Sequence, residues 1–383
     1  MKGLPRIESD FKRMEYIRFM NQGIVFSSGR IIGLLSLIPE YPRYKSMLME
    51  AEQDLHEMIE NYVHEDGGTL EGPGYWNFTF SQAMPLFYAL SRFHNKTLHE
   101  YATETLLKTG DYALSMLSIA DGGITLLPIN DCHSKSTINP GLVAAYCKMS
   151  KNPEWKSLYQ AMKKSGDFKP DLYHIIFAPS MEEMAEPAEP ILKPKFKVLS
   201  EVGQVSSIRE DPDIGLIHFH FCSGPTYWGH YHQDKGSFII EVNDEVLAMD
   251  RGVASYDNPE SRLLSMADRH NLLYPERIND RPLEQPYYAA GGKLVHAGED
   301  NGVITLISDN KDAWEAGLFK KNIRKVVSSA PGYFIIEDEV VLSEKMPVSF
   351  LIHSNYDMQA VGNDYWIKGK KSSLCITPLN WRP

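Results

Sequence analysis

The sequence predicts an α+β protein with two unlike parts, a helical N-terminal part followed by an antiparallel β-rich part. Three observations support this prediction. From residue 9 to residue 165, apolar residues recur at intervals of three and four, which is the helical period. A stretch rich in proline and glutamate follows at residues 178–195. Beyond residue 196, apolar and polar residues alternate with the period of two that is typical of strands.

The helical part contains several apolar-periodic segments in series, separated by loops rich in Gly, Pro and Asp such as Asp66-Gly67-Gly68. The predicted helices are Ile17–Ile38, Tyr44–Tyr62, Phe80–Phe93, Leu98–Leu117, Pro140–Met149 and Pro153–Lys164. Helix pairs that follow one another in this way predict an α/α toroid or solenoid over residues 1–177.

Residues 178–195 include Pro179, Pro187, Pro190 and Pro194, and they predict a linker between two domains. The predicted strands lie beyond it, at Phe196–Ile208, Ile214–Cys222, Ser237–Met249, Val303–Ser308, Ile323–Ser328, Tyr333–Val341 and Val348–His353. Successive strands lie close together in sequence, with no helical crossover between them. This spacing favours an antiparallel β-sandwich over residues 196–383.

Composition excludes several classes of function. The chain has 383 residues and a net charge of −11, which argues against nucleic acid as a main partner because phosphate binding needs a basic face. No stretch reaches the roughly 18 apolar residues of a membrane span, and residues 1–16 lack the apolar core of a signal peptide. The four cysteines lack CxxC spacing and are expected to be buried free thiols.

The densest group of chemically active residues lies in Gly229–Ser237, just before a predicted strand. On an extended segment His230 and His232 point to the same side, so both can face one site. Asp250 follows after one strand, and His270 follows after a further loop. Two imidazoles and one carboxylate on separate segments suit a tetrahedral zinc site. The alternative is a group of solvated loop histidines, and the pattern alone leaves both open.

A second group, Glu71-Gly72-Pro73-Gly74-Tyr75-Trp76, lies in the helical part. Two aromatic residues beside a carboxylate are typical of a wall on which a sugar stacks. A tyrosine can also act as an acid or base where nearby positive charge lowers its pKa. The alternative is that Tyr75 and Trp76 only pack against the following helix, and the sequence alone favours that alternative.

In this order, Glu71–Trp76, His230–Phe238, Asp250-Arg251-Gly252 and His270-Asn271 together resemble the heparinase II/III-like polysaccharide lyases. The resemblance extends from about Asn21 to Ile352. It implies an incomplete α/α toroid followed by an antiparallel β-sandwich, and β-elimination of an acidic, uronic-acid-containing polysaccharide. It also implies a periplasmic or secreted protein, or a cytoplasmic one if the substrate is an oligosaccharide. A glycan-binding relative without activity and a uronate C5-epimerase are the alternatives.

The resemblance implies catalytic roles for four residues. Tyr75 resembles the tyrosine that protonates the departing glycosidic oxygen, and His230 resembles the catalytic histidine. Tyr256 resembles a second active-site tyrosine. Asn21 resembles the asparagine that hydrogen-bonds the uronate carboxylate.

The same resemblance implies the remaining site residues. His232, Asp250 and His270 resemble the ligands of a mainly structural zinc. Gln22 stands where several family members have histidine, so it cannot replace that residue as a base. Gln22, Glu71 and Trp76 are predicted to contact substrate, and Glu71 has the alternative role of capping its own loop.

Overall fold

A computed structural model describes residues 15–166, 168–180, 183, 190–226, 229–276 and 281–379. Part of the predicted linker, at residues 181, 182 and 184–189, lies outside the described residues. Across the described ranges, no helix has both the length and the apolar character needed to span a membrane.

The chain divides into two compact units that are not consecutive in sequence. The helical unit consists of the described residues within Met1–Thr69, Pro73–Leu114 and Ile138–Glu189, and the β-rich unit of those within Leu70–Gly72, Ser115–Thr137 and Pro190–Pro383. A single boundary at residues 178–195 therefore does not describe this division. Two segments from the helical part of the sequence pack with the β-rich unit.

The helices agree well with the periodicity. They are α1 (Asn21–Leu37), α2 (Lys45–Tyr62), α3 (Gly72–Phe93), α4 (Leu98–Tyr101), α5 (Glu104–Ser115), α6 (Pro140–Met149), α7 (Glu154–Lys164), α8 (Leu172–Phe177) and α9 (Ser261–Leu264). Helix α3 begins earlier than predicted because proline fits the first turn of a helix, so Pro73 does not exclude helix there. The predicted helix Leu98–Leu117 is divided into α4 and α5.

Helix α2 shows why the helical unit folds. Its buried side chains recur at helical spacing and form one apolar face, consisting of Leu48, Ala51, Leu55, Met58, Ile59 and Tyr62. The core of this unit also contains the stacked rings of Tyr146 and Trp155, whose centroids are 4.3 Å apart. Burial of such a face supplies most of a helix's stability in water.

The β-rich unit contains antiparallel sheets. Its strands are β1 (Lys195–Leu199), β2 (Gln204–Asp211), β3 (Gly215–Cys222), β4 (Ser237–Val242), β5 (Glu245–Ala248), β6 (Leu273–Pro275), β7 (Lys293–Asp300), β8 (Val303–Asp309), β9 (Phe319–Ala330), β10 (Tyr333–Leu342), β11 (Val348–Phe350), β12 (Met358–Val361), β13 (Asp364–Lys368) and β14 (Ser373–Ile376). The sheet orders are β1-β2-β3-β4-β5, β10-β9-β8-β7, β11-β6 and β12-β13-β14. The prediction of a protein with helices and antiparallel sheets is confirmed.

The main core of the β-rich unit draws side chains from two sheets. Phe219 and Phe238 come from the five-stranded sheet, and Leu306 and Val326 come from the four-stranded sheet. The rings of Phe219 and Phe238 stack with centroids 5.9 Å apart. These alternating inward-facing residues account for the period of two in the sequence.

The segment Ser115–Thr137 is joined to this unit by a buried carboxylate. Glu241 on β4 is 1 % exposed and accepts hydrogen bonds from Ser118 Oγ at 2.5 Å and from the Ile119 N–H at 2.9 Å. Its Oε2 also lies 3.0 Å from His218 Nδ1. A buried carboxylate needs such donors because desolvation without them is costly. These hydrogen bonds therefore stabilise the packing of Ser118 and Ile119 within the β-rich unit.

A second buried carboxylate leads to a prediction about acid stability. Glu245 on β5 accepts hydrogen bonds from the backbone N–H groups of residues 370–372 and from Tyr356 Oη. Burial acts to raise the pKa of Glu245, but these donors outweigh it and lower the pKa from 4.5 to about 2. A lowered pKa in the folded state stabilises the protein above pH 4.5, and that contribution is lost as the pH falls toward 2.

We therefore expect the variant Glu245→Gln to melt at a lower temperature than the wild type at neutral pH. The difference should shrink as the pH falls below 4.5. Thermal melting followed by circular dichroism would measure it, with exposed Glu344→Gln as the matched control. Equal melting temperatures of wild type and Glu245→Gln at neutral pH would contradict the prediction.

Candidate functional site

The structure brings together three residues that can hold a metal ion. His232, Asp250 and His270 each offer one ligand atom, and these atoms all lie within 4.8 Å of one another. All three side chains are buried. Imidazole nitrogen and carboxylate oxygen are donors that zinc accepts. The sequence prediction that these three residues meet is thus confirmed in the β-rich unit.

The hydrogen bonds of the two histidines fit a metal. His232 Nε2 lies 3.2 Å from Asp131 Oδ1, and His270 Nδ1 lies 2.9 Å from Asp250 Oδ2. Because a carboxylate only accepts, those two nitrogens carry the protons. The opposite nitrogens, His232 Nδ1 and His270 Nε2, are buried and have no hydrogen-bond partner among the described residues. Buried polar atoms are rarely left unpaired, and these two nitrogens beside the Asp250 carboxylate are suited to hold a cation.

Charge at the triad favours an ionised aspartate. Burial acts to raise the pKa of Asp250, but its interactions with His270, including the hydrogen bond, outweigh it and hold the pKa below 3.8. Asp250 Oδ1 also accepts the Gly252 N–H at 2.9 Å. The carboxylate form is the one that binds metal.

Neighbouring residues of the recognised motifs hold these ligands in place. Asn271 Nδ2 donates to the carbonyl oxygens of Phe238 and Met249, at 2.7 and 3.1 Å. The buried Arg324 forms a bidentate ion pair with Asp338 at 2.7 Å and donates to the Asn271 carbonyl. Asn271 and Arg324 therefore join strands β4, β5 and β9 around His270.

His230 lies in a second cluster, formed around Asp131. The Oδ2 atom of Asp131 lies 2.8 Å from His230 Nδ1, and it accepts a hydrogen bond from Tyr256 Oη at 2.6 Å. Tyr256 is 63 % exposed and lies beside the imidazole, with its Oη 3.4 Å from His230 Nδ1. Asp131 thus connects His230 and Tyr256. The sequence predicted both of these residues as part of the site, but it did not predict Asp131.

Asp131 reaches this cluster because its loop packs closely against the loop that follows Asp250. A Cβ atom at Gly252 would lie 2.0 Å from the Cys132 carbonyl oxygen, and Gly252 has φ +57°. Only glycine fits this position. The Val253 N–H donates to that same carbonyl at 3.3 Å. The glycine of Asp250-Arg251-Gly252 therefore allows the approach of the Asp131 loop.

Burial acts to raise the pKa of Asp131, but hydrogen bonds from His230, His232 and Tyr256 outweigh it and hold the pKa well below 3.8. Asp131 is therefore a carboxylate that bridges the two histidines of the His230-Tyr231-His232 segment. The local signal in the sequence was the polar pair Asn130-Asp131 directly after the apolar run Leu126–Ile129.

The remaining predicted catalytic residues lie in the helical unit. Tyr75 occupies the first turn of α3, is partly buried, and its ring packs against Phe78 with centroids 6.0 Å apart. Asn21 is the first residue of α1 and is buried, and Gln22 beside it is partly buried. Their predicted roles toward substrate stay predictions.

Trp76 and Glu71 have surroundings that favour structural roles. Trp76 is 0 % exposed, and its indole N–H donates to Thr109 Oγ1 at 2.9 Å within the helical unit. This burial favours core packing over the sugar-stacking role predicted from the sequence. Glu71 is also buried, in the turn before α3, and belongs to the short segment Leu70–Gly72 of the β-rich unit.

Comparisons with known proteins match part of the β-rich unit to a family model. Residues 217–372 match the family described as Heparinase II/III-like, C-terminal. This range contains His230, His232, Asp250, Tyr256 and His270. The resemblance inferred from the motifs is confirmed. Among curated protein sequences, none matches the chain significantly.

Solved structures support the fold. A mutant of the heparan sulfate lyase HepC from Pedobacter heparinus is similar over 94 % of this chain and 52 % of its own, with a TM-score of 0.68 and 13 % identity. A heparinase III gene product with methylated lysines is similar over 95 % of this chain and 52 % of its own, with a TM-score of 0.67 and 16 % identity. The chain thus spans about half the length of these proteins. At this identity the likeness shows the fold alone.

Proposed function

We propose that this chain is a polysaccharide lyase that cleaves a uronic-acid-containing polysaccharide by β-elimination, because residues 217–372 match the family described as Heparinase II/III-like, C-terminal. The observation that carries the proposal is the position of His230. Its imidazole is held by Asp131 next to a triad that can hold a metal. In catalytic sites, the acid–base residues are typically held in one orientation by hydrogen bonds from rigid neighbouring groups.

In the proposed reaction, a base removes the proton at C5 of the uronate and an acid protonates the departing oxygen at C4. The C5 proton is only weakly acidic, so the substrate carboxylate must be neutralised while negative charge develops. We assign this neutralisation to Asn21. We assign proton donation to Tyr75, and proton removal to His230 or to Tyr75 as phenolate. Tyr256 completes the proposed catalytic group, and Gln22 is proposed to contact substrate.

We propose zinc as the ion held by His232, Asp250 and His270, with a mainly structural role. The two unpaired imidazole nitrogens and the carboxylate give the mixed nitrogen and oxygen donors that zinc prefers. Bound zinc would supply a fixed positive charge that anchors the three ligand segments. His232 lies two residues from His230, so fixing His232 restrains the segment that presents His230.

The proposal extends to the architecture and the substrate. We propose that the helical unit is an incomplete α/α toroid and that the β-rich unit is a β-sandwich. The similar structures include a heparan sulfate lyase, which makes heparan sulfate one candidate substrate. The net charge of −11 favours less sulfated polymers, so alginate and chondroitin-type chains are also candidates. A periplasmic or secreted location is proposed, with a cytoplasmic one for an oligosaccharide-specific enzyme.

The proposal is tested by following the ultraviolet absorbance of C4–C5 unsaturated uronate on heparan sulfate, chondroitin sulfate and alginate, in parallel with chain length. Wild type should produce absorbance and shorter chains on one of these polymers. The variant His230→Gln should lose this activity, and His296→Gln, at an exposed histidine on β7, should keep it.

Running the same reactions in deuterated water separates the alternatives. Deuterium incorporation at C5 without chain shortening would contradict a lyase and indicate a C5-epimerase. Binding of a polymer without product or exchange would contradict catalysis and indicate a glycan-binding protein.

A further inference from the structure

Asp131 is the point where three functional side chains meet. Its Oδ2 atom contacts His230 Nδ1 at 2.8 Å and Tyr256 Oη at 2.6 Å, and its Oδ1 atom contacts His232 Nε2 at 3.2 Å. The carboxylate is 13 % exposed. A carboxylate only accepts hydrogen bonds, so all three partners must present protons to it.

This requirement fixes the tautomer of both histidines. A neutral imidazole has one N–H and one accepting nitrogen, so in the neutral form of His230 the proton lies on Nδ1, where Asp131 accepts it. The accepting nitrogen is therefore Nε2. The same carboxylate keeps the proton of His232 on Nε2 and leaves its Nδ1 lone pair for a metal.

The residue before Asp131 holds the backbone of His230. Asn130 Nδ2 donates to the His230 carbonyl at 3.2 Å and to the Leu70 carbonyl at 3.3 Å. His230 has φ +56° and Asn130 has φ +52°, both in the left-handed region. This region is uncommon for residues other than glycine, and the hydrogen bonds of Asn130 help to hold it here. The pair Asn130-Asp131 thus restrains His230 through both its backbone and its ring.

We infer that Asp131 is a positioning residue, which sets the tautomer and orientation of His230. It makes Nε2 the accepting nitrogen of His230, and it joins His230 to His232, a proposed metal ligand. The catalytic consequence rests on the proposed function, whereas the effect on the tautomer does not. The contact distances indicate that Asp131 positions His230 and does not only orient His232 in the metal site. The bond to His230 is shorter than the bond to His232, and Tyr256 shares the oxygen that faces His230.

The variant Asp131→Asn tests the inference at nearly unchanged side-chain size. An amide offers one accepting oxygen and one donating nitrogen, so it cannot accept from all three partners. Nitrogen NMR of imidazole-labelled protein reports the tautomer directly, with the His230 signal assigned by its absence in His230→Gln. Wild type should show the proton on Nδ1. In Asp131→Asn and Asp131→Ala, the His230 proton should no longer lie on Nδ1 alone. In Asp257→Asn, at an exposed carboxylate next to Tyr256, it should stay on Nδ1.

Kinetics on the best polymer provide the second readout. We expect kcat of Asp131→Asn to fall by at least about 10²-fold, with little change in KM, because proton transfer is impaired and substrate contacts are not. Asp131→Glu should restore part of kcat, since it restores a carboxylate. Metal content is measured on every variant.

An unchanged His230 tautomer in Asp131→Asn would overturn the inference, whatever happens to metal content. A changed tautomer with unchanged kcat would overturn the catalytic part. If the wild type makes no product, the proposed function fails, but the tautomer measurement still decides whether Asp131 positions His230.

Discussion

The variant Tyr75→Phe is expected to lose almost all of the proposed lyase activity and to keep its fold. Removal of the hydroxyl group removes the proposed acid for the departing oxygen. General acid–base groups contribute about 10²–10⁴-fold to rate, so kcat should fall by that factor. The ring stays in place, and with it the edge contact to Phe78 in the first turn of α3, so the melting temperature should change little.

Tyr88→Phe provides the matched control for this experiment. Tyr88 lies on the same helix, is 37 % exposed, and packs edge-on against Phe177, a contact that phenylalanine keeps. Product formation should be unaffected in Tyr88→Phe. Full activity of Tyr75→Phe would show that another residue is the acid and would remove the central assignment of the mechanism.

Removal of the metal is expected to destabilise the β-rich unit strongly. A ligand present at 1,000 times its dissociation constant stabilises the folded state by about 4 kcal/mol. Chelation should therefore lower the melting temperature, and added zinc should restore it. His270→Ala should melt at the low temperature with or without zinc, because it lacks one of the three ligands.

The control for this second prediction is His296→Ala, at an exposed histidine on β7. It should bind zinc and melt like the wild type. Elemental analysis of the purified proteins measures the stoichiometry directly. A chelated protein with no bound metal and an unchanged melting temperature would contradict a structural role for the triad.

The periodic parts of the fold could be predicted from sequence because they depend on local pattern. The apolar face of α2 and the alternating burial in β8 follow directly from the spacing of their residues. Strand β7 was missed because its side chains are mostly exposed and include charged residues, so it lacks a buried stripe. Predicted strand 237–249 is two strands, β4 and β5, joined by the turn at Asn243-Asp244.

Only the site residues that lie within recognisable sequence motifs could be predicted. His230 and His232 are two residues apart, and the order of the motifs led to Asp250 and His270. Asp131 is separated from His230 by 99 positions. Its contact depends on a glycine at position 252 and on the packing of two loops, which no spacing rule encodes. The burial of Trp76 likewise depends on its partners in the helical unit, including Thr109 and Tyr146.

The segment Ser115–Thr137 also limits how this protein can be divided or recombined. A fragment that begins at residue 196 would contain Glu241 without Ser118 and Ile119, and His230 without Asp131. Removing the partner of a buried charge typically costs about 3–5 kcal/mol. An exchange of the β-rich unit between related proteins would therefore have to transfer Ser115–Thr137 together with the strands. The two units are interleaved along the chain, so neither can be cut out as one continuous segment.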